Sequence, residues 1–142
     1  MELFKQGLFL VSQSPTSDPP SLRDRCAASH GRIEAALSSA LEAVEAGDCD
    51  RLSTLWREFA QRFTCQMQEE DDIFIPALVS GQPRDARALV EEHRHLRARV
   101  AEISVAVQRE KVRPETLRAL AQELRAHAAH EQVALDRRTE PG

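Results

Sequence analysis

Residues 63–72 read FTCQMQEEDD, a stretch that looks like surface. Its spacing says otherwise. Phe59, Phe63, Gln66 and Glu70 are separated by steps of four, three and four, the repeat of one helix face. The stripe starts at Leu52 and Leu55 and is expected to continue through Ile73 and Ala77. A glutamine and a glutamate therefore occupy core positions of an otherwise apolar helix. An unpaired buried carboxylate costs several kcal/mol, against a net stability of only about 5–15 kcal/mol for a whole domain. Gln66 and Glu70 must find partners on other helices.

Those helices are readable on either side. From Ser21 onward breakers cluster in only three places: Gly47-Asp48-Cys49-Asp50, Ser80-Gly81-Gln82-Pro83 and Val112-Arg113-Pro114. They divide the chain into four long helical segments. The first carries Leu22, Cys26, His30, Ile33, Leu37, Leu41 and Val44 on one face. The third carries Ala86, Leu89, His93, Leu96, Val100, Ile103 and Val107, and the fourth Leu117, Leu120, Leu124, His127, Glu131 and Ala134. Pro83 and Pro114 suit first helical turns. Short connections make successive helices antiparallel, so the expected fold is all-α: an up-down-up-down four-helix bundle over residues 20–138.

The 142 residues suit one domain with a real core. A net charge of −4 and a pI near 5.7 give no reason to expect nucleic acid or an anionic membrane as partner. Residues 1–19 hold a short apolar run, Gly7 to Val11, then Pro15, Pro19 and Pro20. The run is too short to span a bilayer or to serve as a signal-peptide core. It reads as an arm that packs on the domain or forms a homodimer, or equally as a partly ordered tail, with 139–142 as the C-terminal tail. Cys26, Cys49 and Cys65 are odd in number and form no CxxC, which speaks against a disulfide framework and for a reducing cytoplasm. No glycine-rich phosphate loop or nucleophile elbow occurs, and the absence of tyrosine excludes a tyrosyl radical. With so few loops, a large substrate pocket has no obvious place.

Each apolar stripe is interrupted by one or two polar residues: His30, Gln66, Glu70, His93, His127 and Glu131. Measured from the loops at the helical rise, all six fall in one layer roughly 6–8 Å thick. Histidines and glutamates converging from four helices form a donor set for iron, manganese or zinc. The two halves of the chain also echo each other. His93 is followed by His127 and, four residues on, Glu131; His30 is followed by Gln66 and, four residues on, Glu70. Gln66 stands where the repeat would place a histidine. Cys65 and His130, beside the inward face, are candidates for a weak ligand or a supporting hydrogen bond. Cys26, one turn from His30, is another. Glu69, Asp71 and Asp72 read as a solvated face, and His95 points to solvent.

The pieces ASHGRIEAAL with His30, QMQEEDDIFIPAL with Glu70, EEHRHL with His93, and HAAHE with His127 and Glu131 resemble the hemerythrin-like, or HHE cation-binding, family. The resemblance implies a non-haem di-iron centre in the bundle, bridged by Glu70 and Glu131. His93 and His127 would hold one iron, and His30 with the second-helix residue the other. The sequence departs from that pattern at Gln66, which leaves one or two irons per chain open. The expected function is binding or sensing of a small ligand such as dioxygen, nitric oxide or peroxide. An iron-dependent enzyme (ferroxidase, peroxide-scavenging or iron-delivery) and a metal-free helical interaction protein are the alternatives.

Overall fold

Ser21 opens the first helix by accepting a hydrogen bond from the backbone N–H of Asp24 at 3.0 Å, an N-cap that satisfies one of the orphan donors of the first turn. From there a computed structural model describes residues 21–139; the arm at 1–19 and the tail beyond Thr139 lie outside the described residues. Helix α1 spans Leu22–Glu45 and α2 spans Cys49–Glu69. A single wide π-helical turn, Glu70–Phe74, leads directly into the short α3, Ile75–Val79. Helices α4, Pro83–Gln108, and α5, Pro114–Thr139, complete the bundle. The fold is the expected all-α bundle, with α1 packed on α2 and α5, and α4 on the same two neighbours.

Local chemistry sets the connections. Gly47 adopts φ 71° between α1 and α2, and Asp48 then caps α2 by accepting from Arg51 N–H at 3.0 Å. Pro83 and Pro114 begin α4 and α5, where a missing N–H costs nothing. No helix among the described residues is long and apolar enough to cross a membrane.

The third and fourth stripes are buried at every expected position. The second departs from expectation after Glu70. Ile73, placed inward by an unbroken helical repeat, is 37% exposed, whereas Phe74 and Leu78 are fully buried. The cause is the π turn, which adds one residue to the helix and moves every later inward position one place along. Beyond Leu37 in the first stripe, Ala40 and Ala43 are buried and Leu41 and Val44 only partly so.

The apolar core is in two parts. The larger contains Leu37, Trp56, Phe59, Phe63, Ile103 and Leu120; the smaller, at the other end, contains Cys26, Phe74, Leu78, Leu89 and Leu135. Trp56 Nε1–H donates to Ser104 Oγ at 2.9 Å, so the one tryptophan of the larger cluster is satisfied.

Candidate metal centre

The polar residues of the four stripes meet in one buried cluster. His30 comes from α1, Gln66 from α2, Glu70 from the first position of the π turn, His93 from α4, and His127 and Glu131 from α5. Their exposure runs from 0% for Glu70 and Glu131 to 9% for His30.

Glu70 lies at the centre. Its Oε1 is 2.7 Å from His93 Nε2 and 3.0 Å from His127 Nε2. Its Oε2 faces the other way, 3.2 Å from His30 Nε2, and accepts a hydrogen bond from Gln66 Nε2. Glu131 is divided in the same manner. Its Oε1 is 3.1 Å from His30 Nε2 and accepts from the Cys26 thiol; its Oε2 is 3.7 Å from His127 Nε2. Each carboxylate thus offers one oxygen to the α4–α5 side and one to the α1–α2 side.

An outer ring orients two of the imidazoles. His93 Nδ1 lies 2.7 Å from Asp71 Oδ1, and Arg97 donates to Asp71 Oδ2 at 2.7 Å. His127 Nδ1 lies 2.7 Å from Glu92 Oε1, and Glu92 Oε2 is 2.6 Å from His130 Nδ1. A carboxylate at Nδ1 fixes the ring and raises the basicity of Nε2, the usual outer arrangement of a metal-binding histidine.

The charges of the cluster are strongly coupled. Burial opposes the Glu70 carboxylate, but hydrogen bonds from His127, His30 and His93 outweigh it and hold the group well below the usual carboxylate range. Glu131 is pushed up, first by burial and further by the charge on Glu70. Burial would lower His30, yet Cys26, Glu131 and Glu70 together drive it up to about 12. His127 rises to about 9 because Glu70 and Glu92 overcome its desolvation. Burial pushes the Cys26 thiol up to about 12, so it stays a donor to Glu131. Desolvation opposes ionisation of Asp71 and Glu92 too, but Arg97 and His93 in one case, and His127 and His130 in the other, keep both low.

The donor set suits a divalent cation. One ligand atom from each of His30, Glu70, His127 and Glu131 lies within 4.8 Å of the others. His93 is outside that foursome, with its Nε2 directed at Glu70 Oε1. Glu131 Oε2 is buried with no hydrogen-bond partner among the described residues, a costly state that a cation would relieve. Imidazole nitrogens mixed with carboxylate oxygens match iron, manganese or zinc.

The flanking candidates sit elsewhere. Cys65 is exposed, about 100° round the helix from Gln66, and takes no part in the cluster. His130 is half-buried and committed to Glu92 and, at 3.4 Å, to Asp85. His95 is exposed beside Glu123. Asp71, expected on a solvated face, instead braces His93. The π turn brings it there, and a plain helical repeat carries no signal of that turn. Glu92 precedes His93 in sequence but serves His127 on another helix, a pairing visible only in three dimensions.

A family model described as the hemerythrin HHE cation-binding domain matches residues 21–135. No curated protein and no solved structure matches the chain.

Proposed function

Since the chain belongs to the hemerythrin HHE cation-binding family, we propose that its cation is iron, that His30, Glu70, His93, His127 and Glu131 hold it, and that the iron binds or senses a small ligand such as dioxygen, nitric oxide or peroxide. The observation that supports this reading best is the division of Glu70 and Glu131, each with one oxygen toward either side of the cluster, with Glu131 Oε2 left without a hydrogen bond among the described residues.

A bound ferrous ion supplies a coordination position and an electron to such a ligand. The protein supplies everything around it. Asp71 and Glu92 hold His93 and His127 with Nε2 inward. Glu70 and Glu131 offset the positive charge in a layer shut off by apolar clusters at both ends. Gln66, through its amide bond to Glu70, closes the α1–α2 side without adding a strong donor.

Protein purified from iron-supplemented medium and dialysed should retain about one iron per chain, as expected for a preformed donor set. Anaerobic addition of nitric oxide to the ferrous form should produce the paramagnetic signal of an iron–nitrosyl complex. Iron retained without any response to nitric oxide, dioxygen or peroxide would leave cation binding standing and remove the small-ligand role. Loss of all iron on dialysis would remove both.

A further inference from the structure

Two grooves approach the buried cluster from opposite sides. One, a cavity of about 530 Å³ between α1 and α2, is lined by Ser29, Arg32, Glu58, Gln61, Arg62, Cys65, Gln66 and Glu69. The other, about 400 Å³ between α4 and α5, reaches His127 past Leu96 and Ala126. We propose that the α1–α2 cavity is the access site for the divalent cation, with Gln66 as its gate. The proposal rests on the metal-holding reading above.

Two features separate the grooves. The first is what lies behind them. The α1–α2 cavity ends on Gln66, and the Gln66 amide donates directly to Glu70 Oε2; one flexible side chain, 6% exposed, stands between the cavity and a central carboxylate. The α4–α5 groove ends on the outer edge of His127, whose Nδ1 is already taken by Glu92 while Nε2 points inward. A cation arriving there meets the wrong side of the ring.

The second feature is the supply of oxygen donors. A divalent cation sheds water reluctantly and needs replacement ligands along its route. Glu58 and Glu69 hold their arginine partners loosely, at 3.4 Å to Arg62 and 3.5 Å to Arg25, in exposed pairs of little strength. Ser29, Gln61 and Gln66 add neutral oxygens. On the other side Glu92 is committed to His127 and His130, and Glu123 to His95 and Arg99, which leaves Glu91, in an exposed pair with Arg94, as the one loosely held carboxylate among the residues lining that groove.

Once past Gln66, the ion meets Glu70 Oε2, Glu131 Oε1 and His30 Nε2 together.

Cobalt(II) loading of the metal-free full chain, followed by its visible absorption in a stopped-flow instrument, tests the route. Cys65→Trp places a bulky ring in the α1–α2 cavity, Cys65→Ser removes the thiol alone, and Ala126→Trp obstructs the opposite groove. Cys65→Trp should slow loading about tenfold or more, because the ion must then wait for local opening of the bundle. Its final absorption should be unchanged, and Cys65→Ser and Ala126→Trp should load at the native rate. Gln66→Ala should load faster. Should Cys65→Trp fold poorly, a Cys49→Ser chain labelled at Cys65 with a bulky maleimide after loading should release cobalt to a chelator more slowly than the unlabelled chain. Native-rate loading or release with the cavity filled, or slowing by Ala126→Trp in its place, overturns the access route. Absence of cobalt absorption in every variant and in the native chain would instead overturn the metal-holding reading itself.

Discussion

On the α4–α5 side of the cluster, His93 and His127 each carry a carboxylate at Nδ1, Asp71 and Glu92, and turn Nε2 toward Glu70 Oε1. On the α1–α2 side, His30 meets Glu70 and Glu131 through Nε2, and the place of a second imidazole is held by Gln66, which donates to Glu70 Oε2. The first side is a rigid pair of strong nitrogen donors with outer support. The second has a single imidazole, two shared carboxylate oxygens and an amide. The difference teaches that one quasi-repeated sequence pattern can yield two unequal coordination positions. The inequality comes from a single first-ring residue and from two outer carboxylates that the repeat does not reveal.

Removing donors from the stronger side should break the comparison outright. His93→Ala or His127→Ala should abolish iron retention on dialysis, while His30→Ala should retain part of it; elemental analysis decides, and equal loss from all three would show the sides to be equivalent. Removing the outer support is the next largest effect. Asp71→Ala and Glu92→Ala should each weaken cation affinity about 10–100-fold, the usual cost of losing an outer partner, measured against a competing chelator. The same substitutions would have no such effect if His93 and His127 were oriented by packing alone.

The charge state of the metal-free cluster sharpens the comparison further. His127 and His30 are raised above their ordinary 6.5, to about 9 and about 12. Their stabilising contributions are therefore complete below about pH 6.5 and are lost as pH climbs through 9 and then 12. Glu70 is lowered, so its contribution is present above its ordinary 4.5 and is lost as pH falls below that value. Between pH 7 and 10 the metal-free protein should lose stability of the order of several kcal/mol, through His30 as well as His127, because the unfolded chain has already released both protons. Urea unfolding at the two pH values measures this, and His127→Gln should reduce the difference while His30 maintains the rest. A cation replaces those protons, so the loaded protein should show a weaker dependence over the same range.

The smallest effect on the fold is expected from equalising the two sides. Gln66→His is nearly volume-conserving and should cost no more than about 1.5 kcal/mol. It should raise iron content above that of the native chain and add near-ultraviolet absorption. A variant that folds and gains no iron would show that position 66 is not equivalent to position 127.

How much of this is legible without coordinates depends on distance along the chain. The helices, their antiparallel order and the six polar interruptions follow from periodicity and breakers, because burial of one helix face imposes a repeat that any helix must obey. The meeting of His30, Gln66, Glu70, His93, His127 and Glu131 follows from helix length and rise, since short loops leave little freedom in level. The π turn at Glu70–Phe74 was not legible: one extra residue in a helix leaves no mark on composition, yet it exposes Ile73, buries Phe74 and brings Asp71 to His93. Glu92 was equally hidden, because its partners His127 and His130 lie on another helix. The amino-acid sequence by itself determined an all-α bundle with a layer of metal donors in its core. Only the tertiary structure decided which oxygen of each glutamate faces which side, which imidazoles are braced, and where a groove reaches Gln66. Those choices depend on side-chain rotamers and helix-to-helix packing, and neither has a period that a sequence can display.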